Sequence, residues 1–343
     1  VSTDLLEELR RTARHALTAG GGDVVDQLDL TGLLLGGEAG GLGMGEREMV
    51  LVGEEIGRQA ASSAFLSNAV LAATLLAQAD AGATAISKAL AHNRYAVTLA
   101  GLNDAKRGEP PAVVATADIE GEWLLDGASW CLAPPSSADT VLVVAATGSG
   151  PAVFVAEGQA AAVTTADELD PGRGLLAVTF EQVPARPVVK ASAAPGAIRA
   201  AFRRAVLAVA AEQLGLARAC LEMSVEYAKT RTQFGAPIGS FQAIKHRCAE
   251  VLLDVEFADA AIQQAIGATA PEELELAFIV ATRAAVSAAR TCIHVHGGIG
   301  FTWEHRAHWY LRRARINATL FGSPSVHRDV IAESVGLAGA RRE

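Results

Sequence analysis

Positive charge, cysteine, aromatic residues and long uninterrupted apolar runs are all scarce in this 343-residue chain. Its 29 Lys and Arg are outnumbered by 38 Asp and Glu, which leaves a net charge of −9. Nucleic acid is drawn to clustered cations, so the charge balance gives no case for it as a partner. Only four cysteines occur, Cys131, Cys220, Cys248 and Cys292, widely spaced and with no CxxC pair. That spacing argues against a disulfide framework or a zinc site and fits a reducing cytoplasm. No apolar run approaches the roughly 18 to 20 residues that cross a bilayer. The opening VSTDLLEELRRTARHALTAG carries acidic residues among its apolar ones. The expectation is a soluble, cytoplasmic chain with no targeting segment and no membrane partner.

What is present is ample apolar content: half of the residues are hydrophobic, enough for a sizeable core divided over two or three domains. The composition changes character twice. Residues 1–94 are rich in Leu, Ala and Glu and are interrupted by Gly36-Gly37, Gly40-Gly41, Gly43 and Gly45, which predicts helices around a turn-rich loop. Residues 95–190 hold short β-type runs, VVATADI at 113–119, TVLVVAA at 140–146, PAVFVA at 151–156 and LLAVTF at 175–180. Between them stand turn formers such as Asp126-Gly127, Pro134-Pro135 and Pro171-Gly172, and this spacing predicts a compact sheet or barrel. Residues 191–343 return to a helical period. Leu207, Ala210, Leu214, Ala217, Leu221 and Val225 step by three and four, as do Val251, Val255, Ala258 and Ile262. Phe278, Ala281, Ala285, Ala288, Cys292 and Val295 do the same. Three such amphipathic helices and a fourth segment predict a helix bundle, giving an α+β chain of three domains.

The residues at the joints resemble the acyl-CoA dehydrogenase family. GGEAGGLGMGEREMVLVGEEIGR resembles that family's Glu-x-x-Gly-Gly-x-Gly loop and following acidic helix. VTFEQVP at 178–184 is similar to the strand leaving its β domain. YAKTRTQFGAPIGSFQAIKHRCAE at 227–250 is similar to its bundle signature, and HVHGGIGFTWEH at 294–305 to its Gly-Gly-x-Gly turn. The resemblance runs through nearly the whole chain in the family's order. It implies the family's fold of an N-terminal helical domain, a β-barrel-like middle domain and a C-terminal four-helix bundle. It also implies FAD as cofactor, an acyl-CoA substrate and an electron-transferring flavoprotein as acceptor.

For individual residues the resemblance implies a cofactor-binding set of Arg231, Gln233, Phe234, Gln242, His294, Gly297 and Gly298, reaching the nucleotide end of FAD held by a neighbouring subunit. Chemistry agrees: a guanidinium fork suits a pyrophosphate, and glycines let backbone come close to a ligand. Arg231 also reads as an ordinary cation in a helix's last turn, and Gly297 as a helix terminator. His294 stands where the family has Gln. A metal at His294, His296 and His305 lacks a carboxylate or Cys ligand at fitting spacing, so no metal is expected.

Acyl-CoA dehydrogenation needs a carboxylate to remove the proton alpha to the thioester while hydride leaves the β carbon. The family's two positions for that Glu fall on Phe321 and Ala205 here, and neither side chain takes a proton. Glu212 lies seven residues beyond Ala205 and is a substitute candidate. The flavin-facing turn is represented by LAGLNDAKRGEPPAV at 99–113, and a Trp-Ile-Thr element by Trp130-Cys131-Leu132-Ala133, both far from the family pattern. The losses resemble the short, non-catalytic subunit of heteromeric α2β2 dehydrogenases that act on steroid side-chain CoA esters. Three readings stay open: such a subunit, completing the FAD site of a homologous catalytic partner; a self-sufficient homomer using a base such as Glu212; and a flavin-free structural or acyl-CoA-binding relative.

Overall fold

The computed structural model describes residues 3–19, 22–37, 40–79, 95–99, 101–103, 110–133, 140–165 and 169–337. Its contacts divide the chain into two compact units with interleaved segments. Unit 1 comprises Val1–Arg14, Val50–Ala61 and Val206–Glu343, and unit 2 comprises His15–Met49 and Ser62–Ala205. Helices α1 (Thr3–Ala19), α2 (Glu46–Gln59) and α4 (Ala194–Thr230) contribute residues to both. Compactness therefore does not follow the three stretches 1–94, 95–190 and 191–343, because side-chain packing sorts residues by contact and composition only by neighbourhood in sequence.

Unit 2 is built on a seven-stranded sheet: β1 (Tyr95–Thr98), β2 (Val114–Ala117), β3 (Trp123–Leu132), β4 (Thr140–Thr147), β5 (Gly150–Glu157), β6 (Ala162–Thr165) and β7 (Leu175–Val189). β1 pairs with both β3 and β4, β4 with β5, β5 with β7, and β7 back with β3, so these five strands form a closed ring. Closure removes open edges, the usual route to unwanted strand pairing. Val141, Val143, Ala145, Phe154, Leu125, Val178 and Phe180 fill its interior, with Trp123 against Phe154 at 5.3 Å between ring centroids. The runs predicted at 113–119, 140–146, 151–156 and 175–180 all contain strands. β1, β3 and β6 escaped notice because Asp126, Gly127 and Ser129 interrupt the apolar alternation in β3, and β1 and β6 have four residues each. α3 (Phe65–Leu76) begins with a wide π-helical turn. There Asn68 accepts the amide of Tyr95 at 3.0 Å and donates to its carbonyl at 3.4 Å, so a buried side-chain amide satisfies a strand end.

Unit 1 is a helix bundle of α4 from Val206 onward, α5 (Gln242–Ala265), α6 (Pro271–His296), α7 (Ala307–Asn317) and α8 (Pro324–Ser334), with the assigned parts of α1 and α2. Proline at the first turn of α6 and α8 starts each helix where a missing amide hydrogen costs nothing. The α5 and α6 seams lie as their period predicts, with Val251, Val255, Ala258, Ile262, Phe278, Ala281, Ala285, Ala288 and Cys292 all buried. In the α4 seam Leu207, Ala210, Leu214 and Ala217 are fully buried, whereas Leu221 and Val225 are half-buried. Backbones touch where α2 crosses α4: a Cβ added at Gly57 would stand 2.0 Å from the Glu212 carbonyl, and one at Gly215 2.0 Å from that of Glu54. Only glycine allows that approach.

One reading from sequence needs correction. The run Pro271–Phe301, comprising α6 and the turn after it, is long and apolar enough to cross a membrane by length and composition, with mean hydropathy 1.5. Of its most apolar window, 56% is buried inside the protein. The alanines that raise its hydropathy are the residues that let neighbouring helices approach, so its apolar character is spent on bundle packing.

Candidate functional site

The expected cofactor residues lie in unit 1 on three consecutive pieces of backbone and at the end of α6. α4 ends at Thr230, where the amide of Arg231 still bonds to the Tyr227 carbonyl at 2.9 Å. A two-residue hairpin follows, β8 (Thr232–Gln233) paired with β9 (Ala236–Pro237), and the Ile238 amide bonds to the Arg231 carbonyl at 2.8 Å. Its turn residues Phe234 and Gly235 have φ of 53° and 78°. Positive φ at both central positions is the turn geometry that suits the twist of a tight hairpin, and it strains any residue with a Cβ. Phe234 is nevertheless 95% exposed, and its ring meets Phe241 edge-on at 6.2 Å. Arg231, Gln233 and Gln242 are exposed as well. Gln242 opens the 24-residue helix α5, whose N-terminal amides carry partial positive charge.

The second part lies where α6 ends. Gly297, with φ of 64°, caps the helix by giving its amide to the carbonyls of His294 and Ile293. It terminates the helix, and it also leaves open space, since a Cβ on Gly297 or Gly298 would meet nothing within 4 Å. His294, Gly297 and Gly298 are exposed.

Two residues outside the expected cofactor set, Tyr227 and His296, join these parts. The ring of Tyr227, one helical turn before Arg231, stacks on that of His296 with centroids 4.3 Å apart, and His296 directly precedes Gly297. His305 lies against His296 at 4.2 Å. The Arg231 hairpin and the Gly297 turn are thereby held at one end of unit 1. The spacing Tyr-x-x-x-Arg places Tyr227 on the face of α4 that carries Arg231, which is the one signal the sequence offered. Of the three histidines once considered together, His296 is buried and stacked, while His294 is exposed.

The donor set presents a guanidinium, two amides, an imidazole, a helix N-terminus and open glycine backbone, beside an exposed phenyl ring. This chemistry suits an anionic ligand with a flat ring, such as a nucleotide diphosphate. It contains no carboxylate, the group that removes the α proton in this chemistry.

Both positions expected to hold a base are apolar and buried. Phe321 is 0% exposed, followed by Gly322 at φ 101°, and Ala205 is likewise 0% exposed. Glu212 is buried too, with its carboxylate 3.0 Å from the guanidinium of Arg313, which also donates to the Ala61 carbonyl at 2.8 Å. That contact places the substitute candidate Glu212 in a buried ion pair with Arg313. Sequence could not reveal it, because Arg313 lies a hundred residues further along.

In unit 2, Trp130 is 50% exposed on β3, and its carbonyl takes the Leu99 amide at 2.7 Å. Residues 100 and 104–109 of the turn expected to face the flavin, together with Pro134-Pro135 and Glu38 of the early glycine loop, lie outside the described residues.

A family profile described as "Acyl-CoA dehydrogenase, C-terminal domain" matches residues 196–336. The chain is similar to Acyl-CoA dehydrogenase FadE27 of Mycobacterium tuberculosis, 33% identical over 299 residues that cover 80% of this chain and 77% of that protein. It is also similar to Acyl-CoA dehydrogenase IpdE2 of the same organism, 47% identical over 120 residues. That match covers 35% of this chain and 38% of IpdE2, so the chain spans well under half the length of that relative. Among solved structures, the ChsE4-ChsE5 complex from Mycobacterium tuberculosis superposes with a TM-score of 0.81 at 25% identity, covering 99% of each chain.

Proposed function

The chain belongs to the acyl-CoA dehydrogenase family and has its α+β fold, and from that premise we propose that it is a non-catalytic subunit, completing the FAD site of a homologous catalytic partner. The observation that carries this reading is the contrast between two sets of residues. Arg231, Gln233, Phe234, Gln242, His294, Gly297 and Gly298 are exposed at one end of unit 1, whereas Phe321 and Ala205 bury apolar groups where a base would stand.

Bound FAD supplies the acceptor for the hydride that leaves the acyl β carbon. Arg231 would bind the pyrophosphate with its fork of donors, assisted by the amides opening α5. Backbone at Gly297 and Gly298 would lie close along the nucleotide, with Phe234 against its flat ring. Removal of the α proton falls to the partner, because no side chain at position 205 or 321 accepts one. Glu212 does not fill that gap, since its carboxylate is held by Arg313. The two-chain complex among the solved structures supports an assembly of homologous subunits. The substrate class is an acyl-CoA thioester. A bulky steroid side-chain ester rests on the resemblance to the heteromeric dehydrogenases, and an electron-transferring flavoprotein is the acceptor that the family suggests. A cytoplasmic location is proposed with them.

The test is the flavin-to-protein ratio from visible absorbance, for the chain alone and for its complex with the homologous subunit. Little flavin is expected on the folded chain alone and full occupancy in the complex. Arg231→Ala is expected to weaken flavin retention in the complex by about tenfold or more, as loss of a charge-assisted contact implies. A full flavin complement together with turnover in the isolated chain would overturn the reading in favour of a self-sufficient homomer.

A further inference from the structure

Arg203 and Arg204 stand side by side on the part of α4 that belongs to unit 2, and the fold treats them differently. Arg203 has a counter-charge: its guanidinium forks onto Glu46 of α2, with Nε 3.2 Å from one carboxylate oxygen and Nη2 2.9 Å from the other. Arg204 makes one hydrogen bond, from Nη1 to the hydroxyl of Thr74 on α3 at 3.1 Å, and no carboxylate bonds to it among the described residues. Glu46 is near enough to act on Arg204 through charge, but its carboxylate is engaged by Arg203.

The head of Arg204 points into the protein. A long cationic side chain on a surface usually lays its stem on apolar neighbours and lifts its charge into water. Thr74 is only 3% exposed, so the Arg204 guanidinium is turned inward to a buried partner, while the residue as a whole is half-buried and keeps an accessible side. A guanidinium carries several N–H donors, and Arg204 uses one of them within the chain. Burial, with Arg203 beside it, holds this guanidinium below its ordinary range against the effect of Glu46, yet it remains a cation at neutral pH. An inward charge without a counter-charge destabilises the fold unless something outside the chain supplies the opposite sign. Thr74 stands two residues beyond the π-helical turn Phe65–Ala72, and such distortions of a helix recur at functional positions. Arg204 directly precedes Ala205, one of the two positions where the family resemblance would place a base.

We propose that Arg204, held by Thr74, forms an oxyanion-binding subsite in unit 2 that takes a carboxylate or phosphate group of an acyl-CoA thioester. Thr74 accepts from one end of the guanidinium and so fixes the plane of the fork, and the remaining N–H groups donate to the oxyanion. The bound anion supplies the counter-charge that Glu46 supplies to Arg203. The acyl-CoA class rests on the functional reading given above, whereas the unmatched cation does not.

The full chain, with any partner that co-purifies, is titrated calorimetrically with free CoA, butyryl-CoA and glutaryl-CoA, which differ in the acyl chain and in a terminal carboxylate. With a carboxylate as the ligand, glutaryl-CoA is expected to bind wild-type protein about tenfold tighter than butyryl-CoA, and Arg204→Gln to abolish that preference, as loss of one charged hydrogen bond implies. With the CoA phosphates as the ligand, all three bind wild-type protein alike and all weaken by about tenfold in Arg204→Gln. Affinities that Arg204→Gln leaves unchanged would overturn the proposal, as would a wild-type protein that binds none of the three. Thermal melts without added ligand give a second readout. Arg204→Met keeps the bulk of the stem and removes an unmatched inward charge, so its melting temperature is expected to equal or exceed that of wild type. A lower melting temperature would show that the fold itself uses the charge, and would equally overturn the proposal. Neither measurement involves flavin, so both can fail while the flavin-to-protein ratio still supports a shared FAD site, and the reverse.

Discussion

Phe234 holds a backbone conformation that costs a residue with a Cβ about 1–2 kcal/mol, and with 95% of its surface in solvent its packing within this chain offsets little of that. Strain at an exposed aromatic is what the proposed ligand or second subunit at that surface would account for. The opposite case is Glu212, which looked in sequence like a candidate base and proves to be a structural partner of Arg313. Glu212→Gln should leave Arg313 buried without its counter-charge and cost about 3 kcal/mol of stability, as breaking a buried pair does. Urea denaturation checks that cost. Steady-state desaturation by the assembled complex, at a temperature where the variant is folded, should be unchanged. Lost turnover with full stability would instead make Glu212 the base. Sequence gave the identity of both residues but not their exposure, which depends on what packs beside them.

Between helices, the decisive contacts in unit 1 are polar ties on a small-residue seam. Glu54 on α2 meets Arg218 on α4 at 2.5 Å and Arg10 on α1 at 3.1 Å, and Arg218 also reaches Asp259 on α5 at 2.5 Å. Burial pushes the Glu54 carboxyl up, but Arg218 and Arg10 outweigh it, and the net position is below the ordinary value of 4.5. A depressed carboxylate contributes stability that is complete above its unfolded pKa and is lost as pH falls through its folded one. The wild-type chain should therefore lose this contribution below about pH 4.5, the ordinary value. Glu54→Gln should unfold more easily at pH 7 and show a flatter stability profile across that acid range. Thermal melts of both proteins from pH 3 to 7 read the difference, and parallel profiles would remove Glu54 from the account. The seam itself was legible from the steps of three and four at Phe278, Ala281, Ala285 and Ala288. The ion pairs were not, because Arg10, Glu54, Arg218 and Asp259 are far apart in sequence.

For the molecule as a whole, exposed apolar surface points to assembly. Leu253 and Phe257, four residues apart and so on one face of α5, are 59% and 64% exposed, and Leu276 on α6 is 46% exposed. Isolated exposed apolar residues are common, but under the proposed assembly a paired face on a bundle helix is a candidate subunit contact. Phe257→Glu is expected to weaken association by about tenfold or more, the loss typical of a buried aromatic anchor. Sedimentation velocity over a dilution series measures it, and an unchanged assembly at every concentration would place the subunit contact elsewhere. The compact units also belong to this scale. Residues 1–94 read as one helical stretch, yet they divide between both units, since contact partners decide membership.

Sequence by itself determined the element types, the helix seams and the absence of a carboxylate at positions 205 and 321, because these depend on local period and on residue identity at a motif. It also supplied Arg231, Phe234, Gly297 and Gly298 as a set. Tertiary structure alone decided that Tyr227 and His296 hold that set at one end of unit 1 and that Arg313 pairs with Glu212. The physical reason is range: propensity and periodicity act over a few residues, whereas burial, ring stacking and ion pairing depend on chain segments that meet only when the bundle closes.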